Sequence, residues 1–166
     1  MEHKMRRFKQ LLSKQSSEEI LNHATNGILS LVDTDGEPYG VPISYVFHPE
    51  GKCIYFHSAV KGHKIDCISA GSRGSFCVVG QDFILPEKFT TLFRSVIVSG
   101  PITIVADSDE IVKGLRLLSE KYSPGIDPDA EIGKSLGHVA VLRLDIEHMS
   151  GKESIELVAK RKNDRQ

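Results

Sequence analysis

The chain contains no tryptophan, only three cysteines in 166 residues, and no long apolar run. Cys53, Cys67 and Cys77 are odd in number and show no C-x-x-C spacing, which argues against a disulfide framework or a thiolate zinc site. Buried thiols are the expected state. No stretch approaches the roughly 18 apolar residues of a membrane-spanning helix, and Glu2, His3, Lys4, Arg6 and Arg7 are followed by no apolar signal-peptide core. A cytoplasmic protein with no membrane partner is expected. Neither sign of charge dominates, because 21 Lys and Arg face 22 Asp and Glu for a net charge of -1. No global field then draws the protein to nucleic acid or anionic lipid, and any anion site must be local. There is no basic face interleaved with aromatics, so nucleic acid is not an expected partner. Neither a Walker loop nor the dinucleotide G-x-G-x-x-G is present.

What is there is ordinary globular material, 40% hydrophobic and 26% charged. A chain of this length buries roughly 70% of the surface its unfolded form exposes, which is enough for one domain over residues 1–166. Apolar positions among charges over residues 5–24, with Ser16 and Glu19 spaced as a capping box, predict an N-terminal helix broken near Ser16. Ile28 to Val32 reads as a strand, Asp35-Gly36 as a hairpin turn, and Tyr39 to Phe47 as the second strand. After His48-Pro49-Glu50-Gly51, a third strand alternates from Cys53 to Ser58. The period then changes, and a short helix runs from Gly62 to a stop at Gly71. Strands resume at Ser75 to Val79 and, after a loop carrying Pro86 and Glu87, at about Thr91 to Val105.

Asp107 and Glu110 form a second capping box, and Ile111, Leu115, Leu118 and Tyr122 recur at helical spacing up to Ser123-Pro124-Gly125. That stripe is core or dimer packing. Residues 126–137 read as irregular with one further turn, and His138 to His148 as the last strand, followed by a frayed basic tail over residues 160–166. Six sequential strands with helices between them predict a mainly β, α+β domain built on an antiparallel six-stranded split barrel. Ile28 to Val32 and Val139 to Leu144 are apolar on both faces, so a helix or a second subunit must cover the outside.

The stretch His57-Ser58-Ala59-Val60-Lys61-Gly62-His63-Lys64 joins a strand end to a helix start, where free N–H groups meet an anion. Ser58 adds a hydroxyl, Gly62 permits close backbone approach, and His63 and Lys64 add cationic donors, a set suited to a terminal phosphate. A solvated helix start with surface lysines would look the same by composition. His57, at the end of the strand, is a competent proton donor near neutral pH, although a hydrogen-bonded structural histidine fits equally. His57 and His63 lack a carboxylate or cysteine at matched spacing for metal or haem iron.

Four separated elements resemble, in order, the flavin-binding split-barrel family of pyridoxamine 5'-phosphate oxidase-like proteins, nearest to its nitroimidazole-resistance subgroup. They are Pro42-Ile43-Ser44-Tyr45, His57-Ser58-Ala59 with Gly62-His63-Lys64, Arg94-Ser95-Val96 with Gly100, and Met149-Ser150-Gly151-Lys152. The resemblance implies FMN in a groove between two identical subunits. The first element would lie along the ring system, the second would take the phosphate, and the third would add polar contacts. The fourth would reach in from the neighbouring subunit. It suggests Pro42, Ile43 and Val96 as an apolar slot, Ser95 and Lys152 as donors, and Ser58, Lys64 and Arg94 at the charged end.

Val41-Pro42-Ile43 stands where true pyridoxamine phosphate oxidases carry an arginine, and their C-terminal substrate signature is missing, which argues against vitamin B6 oxidation. The expected chemistry is reduction of a small acceptor such as a nitroaromatic, with His57 as tentative proton donor and NADH or NADPH as a transient electron donor. The alternative is a non-catalytic flavin- or haem-binding module of the same fold. Acceptor specificity is expected in residues 80–92 and 123–137.

Overall fold

The structure is a computed structural model that describes residues 5–69, 71 and 73–163. The residues preceding the first apolar positions, Glu2, His3 and Lys4, and the tail end Asp164 and Arg165 lie outside the described residues. Eight antiparallel strands carry five helices: α1 (Lys14–His23), β1 (Asn26–Val32), β2 (Pro38–Ser44), β3 (Val46–His48), β4 (Cys53–Ala59), α2 (His63–Ser69), β5 (Arg73–Leu85), β6 (Thr90–Ile104), α3 (Ser108–Tyr122), α4 (Asp129–Ser135), β7 (Val139–Asp145), β8 (His148–Glu153) and α5 (Ile155–Asn163). The hydrogen-bonded path runs β2-β1-β5-β6-β7-β4-β3, with β8 added to β6.

Two corrections to the expected barrel change its strand count. The expected second strand breaks at Tyr45, so β2 pairs with β1 while β3 pairs with β4. The Met149 to Lys152 element is itself a strand, β8, held along Arg94–Ser99 of β6. Eight strands therefore replace six, and no ladder joins β2 to β3, the two ends of the path, although only Tyr45 separates them in the chain. β6 is where the sheet forks: residues 94–99 pair with β8, and Ile102 to Ile104 pair with β7. Gly100 lies at the fork, where an added Cβ would stand 1.8 Å from the Asp145 carbonyl oxygen, so only glycine permits that crossing.

Turn and cap chemistry account for the element ends. Asp33 Oδ1 accepts from the N–H groups of Asp35 and Glu37, and Gly36 has φ +88°, which closes the expected β1–β2 hairpin. Asp107 Oδ1 accepts from the Glu110 N–H at 2.8 Å and caps α3. The α1 cap is Ser13 rather than Ser16: Ser13 Oγ accepts from the Ser16 N–H at 3.0 Å, and the helix starts at Lys14 after a separate 3-10 turn at Phe8–Gln10. The expected loop between Val79 and Thr91 is instead a continuation of the hairpin, since a bulge between Val79 and Gln81 lets β5 run on to Leu85. The basic tail is also ordered as far as Asn163, as the end of α5.

Strand alternation produces two apolar clusters. Leu29, Phe76, Val78, Val96, Val98 and Leu142 are fully buried on the inner face, joined by Ile65 and Ile68 of α2. Tyr55 and Val141 lie on the outer face of β4 and β7, where Leu115 and Leu118 of α3 and Ile132 of α4 cover them. Cys53 and Cys67 are buried and Cys77 is half-buried, and the described residues form no disulfide.

Candidate functional site

The site begins where β2 and β4 part. β2 is an edge strand whose ladder partner is β1, while β4 pairs with β3 and β7. One edge of β2 is therefore left without a strand partner, and its N–H and C=O groups are available along the opening. The β3–β4 register (Val46 opposite Tyr55), continued past Tyr45, brings Ser44 alongside His57 and Pro42 alongside Ala59. Alternation points His57 to the same face as Cys53 and Tyr55, and Ser58 to the opposite face with Ile54 and Phe56.

Ser44 and the exposed His57 line a cavity of about 350 Å³. Its far wall comes from the C-terminal end of α3 and from α4, with Ser119, Ser123, Glu131 and Ser135 as polar groups over a floor of Leu118 and Ile132. The segment 123–137, one of the two expected specificity regions, thus reaches the expected proton donor. Which residues of α3 and α4 would face His57 was not readable from the sequence, because it depends on helix packing across the sheet.

At the other end of the opening, Gly62 takes φ +130°, a conformation that strains any residue with a side chain, and its carbonyl accepts from the Ile65 N–H at 2.8 Å. His63 is engaged already: Nε2 lies 3.8 Å from Asp33 Oδ2, and the ring meets Tyr39 edge-on at 4.6 Å. Lys64 forms no ion pair among the described residues and is half-exposed in the first turn of α2. Of the two expected cationic donors, His63 is thus engaged within the fold and Lys64 is the one left without an ion pair among the described residues.

The apolar slot does not form as expected. Val96 is fully buried in the inner core, and Ile43 packs against that same core, whereas Pro42 lies on the outer face with Ile28. Tyr45 is likewise fully buried, its hydroxyl donating to the Leu21 carbonyl at 2.7 Å and its ring edge-on to Phe76. Burial raises its pKa far above the ordinary tyrosine range. Its backbone is fixed by Tyr122, whose hydroxyl accepts from the Tyr45 N–H at 2.9 Å and donates to the Tyr45 carbonyl at 2.8 Å. Beside it Lys121 Nζ stands 3.9 Å from the Tyr45 ring centroid, and burial lowers its pKa to about 8. Nothing in the sequence distinguished Lys121 from a solvated helix lysine.

The remaining expected residues sit elsewhere. Ser95 pairs with Lys152 and Arg94 with Glu153 across the β6–β8 ladder. Arg94 Nε is 3.3 Å from Glu153 Oε2, and Lys152 Nζ lies 5.5 Å over the Phe93 ring. Ser44, Asn26, Val79, Ser95 and Lys152 form one lateral row across β2, β1, β5, β6 and β8, with Asn26 set beside Val79 by continuing the β1–β5 register. Four strand spacings of about 4.8 Å separate the ends by roughly 19 Å, too far for one ring system to touch both within a protomer. The next row, Pro42, Ile28, Cys77, Ile97 and Ser150, is an apolar stripe on the same face, with Ile28 44% and Ile97 46% exposed.

The family model described as pyridoxamine 5'-phosphate oxidase matches residues 13–153. No curated protein matches the sequence. Among solved structures, a protein from Bacteroides thetaiotaomicron provisionally assigned to 5-nitroimidazole antibiotic resistance is 20% identical, covers 86% of each chain and has a TM-score of 0.72. A conserved hypothetical protein from Mycobacterium tuberculosis is 16% identical over 93% of this chain and 92% of that one, with a TM-score of 0.78. The FAD and haem binding protein from Mycobacterium smegmatis is 22% identical over 89% of this chain and 74% of that one, with a TM-score of 0.73. At these identities the structural likenesses establish the fold.

Proposed function

Because this chain belongs to the pyridoxamine 5'-phosphate oxidase-like family, we propose that it is a flavoprotein that binds FMN between two identical subunits and reduces a small acceptor such as a nitroaromatic. The observation that carries this reading is the free edge of β2 between His57 and the Lys64 turn: an extended backbone with unpaired polar groups, a cation at one end and a cavity at the other. A flavin needs donors and acceptors along its pyrimidine edge and a cation at its phosphate, and these residues fit both needs.

The outer face supports the homodimer part of this reading. Ser44 and His57 stand at one end of it and Ser95 and Lys152 at the other, too far apart for one site within a protomer. Isologous packing about a two-fold axis sets one end of each copy against the other end of its partner, completing two equivalent sites and covering Ile28, Val79 and Ile97. Lys152 then reaches the neighbour's groove, the role the family resemblance implies for it.

When bound, FMN supplies the electron transfer itself. The protein's part is to hold and protonate. Lys64 would neutralise the phosphate end, and the N–H and C=O groups of the β2 edge would hold the ring by backbone hydrogen bonds. His57, facing the cavity that contains Ser119 and Ser135, delivers a proton to the reduced acceptor. NADH or NADPH as electron donor would enter the same opening.

The test is a visible absorption spectrum of the purified protein, as isolated and after incubation with FMN and gel filtration, with haem in parallel. Stoichiometric retained flavin is the expected result, followed by turnover of a nitroaromatic with a reduced nicotinamide. Retained haem without flavin would favour the haem-binding alternative, and flavin without turnover would leave a carrier.

A further inference from the structure

A second cavity, of about 520 Å³, lies under α1 beside the β6–β8 ladder. Glu153, 0% exposed, stands in its wall between two arginines. Arg94 Nε lies 3.3 Å from Oε2, and Arg161 Nη1 lies 3.2 Å from Oε1. The Arg161 approach is off hydrogen-bond geometry, so Oε1 of this buried carboxylate has no hydrogen-bond partner. Both guanidiniums line the cavity and are partly exposed, at 40% and 33%. Each has further N–H donors beyond the one turned to Glu153.

The charges do not cancel within this group. Two guanidiniums share one carboxylate, and neither forms another ion pair among the described residues. Glu19 and His23, whose Nδ1 contacts the Glu19 carbonyl at 2.7 Å, are the other titratable groups on the cavity. The surplus of the Glu153 cluster is therefore one positive charge, with the exposed Glu19 carboxylate elsewhere on the lining. Leu12, Ile20, Ala24 and Val79 supply an apolar lining between them.

We propose that this cavity is a second binding site, taking a small organic carboxylate with an apolar body, its oxygens on Arg94 and Arg161. A forked guanidinium matches a carboxylate in geometry, and the single surplus charge matches a monoanion. A phosphate dianion would exceed that charge. Glu153 acts as a positioning residue, fixing both guanidiniums from behind. The cavity is lined by α1, β1, β5, β6, β8 and α5 and shares Arg94 and Val79 with the flavin reading, but Glu153 and Arg161 have no part in that reading, so binding through them is separable from FMN retention.

The experiment is titration calorimetry of benzoate and of inorganic phosphate against the full chain, with and without saturating FMN. One benzoate per protomer, weak or absent phosphate binding, and indifference to FMN are expected. Arg161→Gln should weaken benzoate at least tenfold with FMN retention unchanged, whereas Arg116→Gln, on the α3 surface, should not change it. Glu153→Gln should raise the local charge and move the preference from benzoate toward phosphate, a reversal that loss of structure would not produce. If Glu153→Gln fails to fold, the Arg161 variant still decides. No benzoate binding, equal binding by the Arg161 variant, or displacement of benzoate by FMN would each overturn the proposal.

Discussion

The outer surface of the sheet has two halves that differ in one respect. Over β4 and β7, Tyr55 and Val141 are buried because Leu115 and Leu118 of α3 lie on them. Over β1, β5 and β6, the equally apolar Ile28, Val79 and Ile97 are 44%, 59% and 46% exposed, and among the described residues no helix buries them. Alternation writes apolar residues onto both halves, but the chain supplies a cover for only one. An apolar stripe across five strands, with the expected site residues divided between its ends, is what a self-complementary interface requires.

The comparison can be broken most severely on the covered side. Leu118→Ala should cost about 2–5 kcal/mol of folding stability by urea denaturation, the range for a buried leucine that leaves a cavity, whereas Ile97→Ala should leave the stability of a monomer within about 0.5 kcal/mol. Equal losses would mean that the two halves do not differ. Ile97→Asp should instead weaken self-association by about 1–3 kcal/mol through burial of an unpaired polar group, read by sedimentation equilibrium. An oligomeric state indifferent to that charge would remove this face from the interface.

Lys64→Ala should weaken FMN binding by about 1.5–3 kcal/mol, as for a charge-assisted hydrogen bond. An unchanged dissociation constant in a flavin titration would remove Lys64 from the site. Asp107→Ala, at the cap of the covering helix, should cost about 1 kcal/mol by thermal melting.

The smallest effect is electrostatic. Glu110 accepts from Tyr55 at 2.7 Å and from Arg143 at 2.6 Å, hydrogen bonds that hold its carboxyl below the usual glutamate range. A lowered folded-state value means stability that is present above the ordinary glutamate pKa and is lost as pH falls through the folded value. The urea midpoint should therefore drop in acid by more for the wild type than for Glu110→Gln. Parallel pH curves would show that this cluster contributes nothing.

Local features were legible in the sequence because their causes are local. The Asp33–Glu37 turn, the Asp107 cap and the Ile111 to Tyr122 stripe each rest on residues within a few positions of one another. The break at Tyr45 was not legible, because it comes from Leu21 and Tyr122, distant in sequence, fixing that residue's side chain and backbone. The β5–β6 hairpin was obscured in the same way, since Gly80 reads as a strand end, and only its packing on Ile20 of α1 distinguishes a bulge from a loop.

Of the candidate site, the order of the motifs and the strand-to-helix turn at His57 to Lys64 were written in the sequence. So was the type of each residue. Which face each residue occupies depended on register, and this separated Val96 and Ile43 from Pro42, and Ser58 from His57, although they are neighbours in the chain. Lys152 stands about four strands from Ser44, and Arg94 about three, because β8 adds to β6. The sequence by itself determined the turns, the caps, the α3 stripe and the chemistry of the candidate groups, since those follow from spacing and short-range hydrogen bonds, and the order of its motifs carried the family resemblance. Only the tertiary structure decided which groups meet, because strand pairing and helix packing join residues whose separation along the chain carries no signal of their contact.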